Sequence, residues 1–253
     1  MLNTVELYYF SPTGGTRRAG EILCEGISAH VKRGDLGAWD ETLKQPESEV
    51  IAFAAPVFGG RIPAIVAEKL GKLDGAGRRA VTLVVYGNRT YEDALLELND
   101  ILEGRGFHVV ASAALVAQHS MAPEVGKGRP DVRDRAEILG FAERILAKLE
   151  KGEQDPVKVP GNRPYKDGMR MPVAPLSLPA CVQCGKCASV CPAGAVRLEG
   201  GAVVTDAETC FLCMACVAAC PERARILPPP LQQRMEQMLG ALKSVRRDNE
   251  FFL

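Results

Sequence analysis

Eight of the nine cysteines in this 253-residue chain lie between positions 181 and 220. Cys181, Cys184, Cys187 and Cys191-Pro192 recur as Cys210, Cys213, Cys216 and Cys220-Pro221, each residue displaced by 29. Three cysteines spaced by two residues wrap a short loop and present three thiolates to one polynuclear centre. A cube of iron and sulfide suits that offer, its fourth iron taking a ligand from elsewhere. The rival chemistry is a pair of structural zinc sites, because C-x2-C pairs also suit tetrahedral zinc. Zinc ribbons use two pairs of ligands and do not call for four cysteines plus proline twice over, so two [4Fe–4S] clusters are the expectation. The intervening Val182, Ala188, Leu212, Met214 and Ala215 are small or apolar. They limit water access and leave backbone N–H groups free to approach cluster sulfurs. Cys24 stands apart, without a nearby His or second Cys, and reads as a buried, inert thiol.

A second chemical feature lies near the N-terminus. Ser11-Pro12-Thr13-Gly14-Gly15-Thr16 follows an apolar run and opens a helical stretch. Hydroxyls and glycine amides at a strand-to-helix turn suit a phosphate, because unpaired amides and the positive end of the helix converge there. The same residue types also serve simply as caps and turns.

The elements that must position these groups follow from periodicity. Residues 2–10, 50–55, 80–86 and 107–116 read as strands, with a weaker candidate at 30–36. Residues 16–28, 63–73, 91–105 and 131–151 read as helices. Strands separated by helices imply a five-stranded parallel sheet, doubly wound, with helices on both faces. Prolines at 156, 160, 164, 172, 175 and 179 then exclude regular helix or central strand. The predicted organisation is an α/β unit at 1–153, an extended linker at 154–177, a small α+β cysteine module at 178–230 and a C-terminal helix at 231–253. Residues 196–205 read as a hairpin turning at Gly200-Gly201. Leu231, Met235, Met238, Leu239 and Leu242 have helical spacing, as a terminal helix packing on the body would.

Three resemblances sharpen this picture. Each cysteine run resembles that of bacterial two-cluster ferredoxins, in which the fourth ligand crosses between halves. That resemblance implies Cys181, Cys184, Cys187 and Cys220 on one cluster, and Cys191, Cys210, Cys213 and Cys216 on the other. Ser11-x-Thr13-Gly14-x-Thr16 resembles the phosphate loop of flavodoxins, which implies a flavodoxin-like fold and FMN beyond the carboxyl ends of the strands. Pro56-Val57-Phe58-Gly59-Gly60-Arg61 and Tyr86-Gly87-Asn88-Arg89-Thr90-Tyr91-Glu92-Asp93 follow the third and fourth strands. The resemblance implies that Phe58, Tyr86 and Tyr91 lie against the flavin ring. Amides of Gly59, Gly60, Gly87 and Asn88 would bond its polar edge, and Arg61 and Arg89 would stabilise its anionic form. The 118–130 loop adds His119 and Ser120 near the same edge. The whole pattern is similar to bacterial flavodoxin/ferredoxin fusion proteins of the EFR1 family, which implies electron transfer with a redox partner protein.

Other function classes find no support. Thirty-one basic and thirty-one acidic side chains give zero net charge, whereas nucleic-acid binders carry a basic excess. No run is apolar enough for a membrane span, and the N-terminus lacks an export signal, so a cytoplasmic location is expected. No G-x-G-x-x-G follows a strand to hold NAD(P). The expected function is an electron relay between partner, clusters and FMN. A flavin-dependent reductase of a small organic substrate is the rival, with Tyr91 or His119 as proton donor. A third reading keeps the clusters and makes the N-terminal unit an empty docking module.

Overall fold

The computed structural model describes residues 1–38, 43–153, 155–169 and 171–253, so Gln154 and Arg170 of the proline-rich stretch lie outside it. The apolar runs form parallel strands β1 (Val5–Tyr9), β2 (Val31–Asp35), β3 (Val50–Pro56), β4 (Arg79–Tyr86) and β5 (His108–Val116). Helices α1 (Gly15–Ile27), α2 (Ala64–Leu70), α3 (Ala94–Gly104) and α4 (Val132–Lys151) connect or follow them. The strands stand in the order β2-β1-β3-β4-β5. That is the flavodoxin-like arrangement, with its switch point between β1 and β3.

Side-chain alternation assigns the two faces. Val5, Leu7, Tyr9, Val50, Ala52 and Ala54 pack against α1 and α4. Tyr8, Phe10, Ile51 and Phe53 pack with Val66 and Leu70 of α2 and Leu95, Leu98 and Leu102 of α3. Both faces being covered, the central strands are buried almost throughout, as parallel sheets require. Helix α4 starts at a capping box, in which Asp131 accepts from the Arg133 and Asp134 amides, and it stops at left-handed Gly152.

The cysteine region is a mixture of short pieces. Strand β6 (Leu176–Ser177) pairs antiparallel with β9 (Arg225–Ile226), closing the region's two ends on each other. Helix α5 (Lys186–Ser189), the hairpin β7 (Val196–Glu199) to β8 (Ala202–Thr205), and helix α6 (Ala215–Ala218) lie between them. The proline-rich stretch that leads in lies along α3. Asn162 and Lys166 donate amides to Asp93 at 2.9 and 2.8 Å, and Arg163 and Tyr165 bond Asp100.

The C-terminus corrects the sequence reading twice. Helix α7 (Pro229–Leu239) ends in a 3-10 turn, Gly240–Ser244, and the chain continues as strand β10 (Glu250–Phe252). The segment 231–253 is therefore only partly helical, and the sheet has six strands, the sixth antiparallel to β5 with Phe251 opposite Ala113. Backbone pairing with β5 and polar clamps hold this tail. The Asn249 side chain accepts from the Val116 amide at 2.9 Å and donates to buried Asp134, which also pairs with Arg129. Among the described residues no helix is long and apolar enough to cross a membrane.

Candidate functional site

No disulfide joins any of the nine cysteines, all of which are among the described residues. Cys24 is buried in the sheet core, where desolvation pushes its thiol up to about 12. The others form two groups. Cys181, Cys184, Cys187 and Cys220 border one small cavity with Pro221 and Arg225. Cys191 stands close enough to Cys210, Cys213 and Cys216 to raise the thiol pKa of each of those three. Each group draws three cysteines from one repeat and one from the other. Burial, and then the neighbouring thiols, push Cys213 up to about 12 despite an amide bond from Ala215. Four thiolates in such surroundings are costly without a cationic partner, and iron meets that demand. The Ala224 amide donates to Cys220 Sγ at 3.3 Å, a bond of the kind that tunes cluster sulfurs. No three His, Cys, Asp or Glu side chains among the described residues converge tightly enough to hold a single metal ion.

The backbone of the two runs repeats as the cysteines do. Gln183 and Leu212, equivalent positions, have φ of 57° and 56°, and Gly185 and Met214 have φ of 75° and 67°. A left-handed non-glycine residue costs on the order of 1–3 kcal/mol. Coordination is the physical term able to offset that strain in a region with so little core.

A cavity of about 890 Å³ joins the two parts of the chain. Its floor is the carboxyl edge of the sheet: Thr13, Gly15 and Thr16 at the start of α1, the 56–61 loop, Tyr86, Gly87 and Arg89 after β4, and His119 and Ser120 after β5. Its opposite wall is Cys210, Phe211 and Cys213, with Met235 and Leu239 of α7 and Met169 of the lead-in stretch. Phe211 lies 6.1 Å from Phe58 and 6.2 Å from Phe10, ring centre to ring centre. Such a space falls within the roughly 300–1,000 Å³ of small-molecule and cofactor sites.

Gly14 is the left-handed N-cap of α1, and the first turn contains no acidic residue. Ser11 Oγ accepts from the Arg17 amide at 2.9 Å, so this hydroxyl holds the turn's shape. The 56–61 loop reverses at Gly59 and Gly60, with φ of 61° and 87°. A Cβ at Gly59 would meet Met169 at 2.6 Å, and one at Gly60 would collide with Glu92. Pro56 and Val57 join this loop to β3, and the Val57 amide bonds Val85 O at 2.9 Å.

Five residues expected at the flavin do not line this cavity: Ser11 and Gly14 of the turn before α1, and Asn88, Tyr91 and Asp93. Buried Asn88 donates to Val245 O at 2.7 Å and accepts from the Arg247 amide, so its side chain holds the C-terminal tail. Tyr91 is buried against Tyr86 and its hydroxyl donates to Glu250 at 2.7 Å. Burial, then Glu250, raises its pKa, so the hydroxyl stays protonated in its bond to Glu250. Asp93 anchors the lead-in stretch through Asn162 and Lys166. Arg61 does line the cavity, yet two of its nitrogens each donate to Glu97 at 2.7 Å, so its charge is already compensated. Arg89 pairs with Glu92 at 3.2 Å.

His119 has a defined state. Its Nδ1 accepts from the Met121 and Ala122 amides, both at 3.2 Å, which leaves the proton of the neutral ring on Nε2. Burial, then the nearby Arg89 charge, holds its pKa down to about 4. Phe211, Met169 and Arg225 escaped the sequence reading. Phe211 carried one usable signal, an aromatic ring directly beside a ligand cysteine.

The sequence profile of the 4Fe-4S dicluster domain family matches residues 180–224. A ferredoxin-like protein in the vnf region of Azotobacter chroococcum is 41% identical over 46 residues, covering 71% of that protein and 16% of this chain. Through this segment the chain belongs to the 4Fe-4S dicluster ferredoxins. A component of an ion-translocating oxidoreductase complex from Methanosarcina acetivorans is 48% identical to the dicluster segment over 44 residues. That overlap is 17% of each protein, so it concerns the dicluster ferredoxin segment alone. A flavodoxin from the domain Archaea overlaps 58% of this chain and 99% of its own, with 18% identity and a TM-score of 0.44. The strand order, not that overlap, carries the fold of the N-terminal unit.

Proposed function

We propose that the chain is an iron–sulfur flavoprotein that relays electrons between a redox partner, its two [4Fe–4S] clusters and an FMN held in the shared cavity. FMN exchanges electrons singly or in pairs, whereas each cluster exchanges one, so the pair converts between the two kinds of chemistry. One observation carries the reading: Cys210 and Cys213 wall the same cavity as the phosphate turn at Thr13–Thr16. In this reading the Gly15 and Thr16 end of α1 receives the phosphate, and Phe58 and Phe211 supply apolar walls for the ring. The amides of Gly59, Gly60 and Gly87 and the hydroxyl of Ser120 lie where its polar edge would be met. Cys184 is exposed, whereas Cys191 and Cys216 are buried. The cluster held by Cys181, Cys184, Cys187 and Cys220 is thus the entry point for a partner, and the other delivers to the cavity.

Reductase chemistry on a small organic substrate is the second reading. His119 supports it, since a neutral imidazole with its proton on Nε2 borders the cavity. Anaerobic purification followed by iron, sulfide and flavin analysis tests the relay. About eight irons per chain are expected, with one FMN retained or taken up, and mixing with reduced clusters should bleach it. A chain that loads iron but takes up no FMN defeats the relay, and turnover of a small electron acceptor lost on His119→Gln would favour the reductase.

A further inference from the structure

The 29-residue repeat that aligns the cysteines also aligns Val196 with Arg225. Val196 is apolar and packs among Cys187, Cys191 and Cys216. Arg225, at the matching place in the second half, is 2% exposed and heads the largest fully buried side chains. Its Nη1 donates to Ser177 Oγ at 3.0 Å and its Nη2 to Thr205 Oγ1 at 2.7 Å. Nη2 also lies 3.9 Å from Cys216 Sγ, and the side chain borders the cavity of Cys181, Cys184, Cys187 and Cys220. Nε is buried without a partner. No carboxylate among the described residues pairs with this guanidinium. A buried cation held only by neutral hydroxyls is expensive unless a compensating anion sits nearby.

We propose that Arg225 is a charge-compensating residue that raises the reduction potential of both clusters, most strongly the one held by Cys216, and so draws electrons toward the shared cavity. A [4Fe–4S] centre with four thiolates is a net anion and gains one more negative charge on reduction. A fixed cation therefore stabilises the reduced form more than the oxidised one, and by more at shorter range. The two halves otherwise share their cysteine spacing and their left-handed backbone positions, so the substitution of arginine for valine makes them electrically unequal. The direction of flow rests on the relay reading, whereas the effect on potential does not.

The test is an EPR-monitored redox titration of the full chain, loaded with iron and sulfide without oxygen, with dithionite as reductant. In Arg225→Gln the reduced-to-oxidised ratio of one cluster at fixed potential should fall at least tenfold, which is about 59 mV for one electron. The second cluster should fall by less. Arg225→Lys, which keeps the charge, should stay within about threefold of the parent chain, roughly half that shift. Parent potentials in a fully loaded Arg225→Gln chain overturn the proposal, as does a Lys chain that falls as far as Gln. Should the Gln chain fail to take up iron, the Lys chain decides: full loading with parent potentials supports the proposal, and any other result overturns it. The potentials are read on the clusters alone, so a missing flavin would defeat the relay and leave this result standing.

Discussion

The sheet unit and the cysteine region are neighbours held together by different physics. In the sheet unit, β3 and β4 are buried almost completely between two layers of helix, and apolar burial supplies the driving force. In the cysteine region the two helices are four residues long, and Val182 and Leu198 remain 63% and 46% exposed. Its inner cluster is small, with Cys187, Cys191 and Cys216 packed beside Ala195 and Val196. The region also holds Leu212 and Met214 in strained left-handed conformations. A perturbation of coordination should therefore act on one region and leave the other standing, and a perturbation of packing should do the reverse.

The largest effect expected is loss of a cluster. Cys184→Ala should lower iron from about eight to about four or fewer per chain and expose the cysteine region to protease, while the helical circular dichroism of the sheet unit persists. Retention of all the iron would break the comparison. Next is Asp134→Asn, which leaves Arg129 buried without its ion partner and weakens one of the three bonds that hold Asn249. Removing one member of a buried pair costs on the order of 3–5 kcal/mol, read as a lower denaturation midpoint for the sheet unit. Iron content should not change.

Replacing Thr13 and Thr16 by Ala tests the cavity floor. Hydrogen bonds to charged groups contribute about 1.5–3 kcal/mol each, so FMN affinity should fall at least tenfold, with the clusters intact. Tyr91→Phe removes the bond to Glu250 and should cost about 1 kcal/mol of sheet stability, with no loss of flavin affinity. A weaker flavin site in that variant would return Tyr91 to the cavity. The smallest expected effect is a pH dependence from His119, whose folded-state pKa is about 4 against an ordinary 6.5. The unfolded chain binds the proton more readily, so stability should decline as pH falls from about 6.5 toward about 4 and then level off. His119→Gln should flatten that slope in a denaturant series.

What was legible depended on range. The parallel strands announced themselves through local apolar runs, and the hairpin through Gly200-Gly201. The cysteine runs were legible because a ligand loop is set by spacing over ten residues. Asn88, Tyr91 and Asp93 were read as flavin contacts because they share a loop with Gly87, which does line the cavity. Their side chains bond Val245, Glu250 and Asn162, remote in the chain, and no local pattern records such pairings. Strand β10 escaped for a related reason: three residues after a polar stretch make a strand only when an open sheet edge is already waiting.

The sequence by itself determined the donor atoms and the order of the elements, since thiolate spacing and apolar periodicity are local properties of the chain. Only the tertiary structure decided that Cys210 and Cys213 face the Thr13–Thr16 turn across one cavity, that the tail seals the edge of β5, and that Arg225 is buried between the two thiol sets. Those outcomes depend on which surfaces meet after each part has folded, and contact between remote surfaces is a property of the assembled shape.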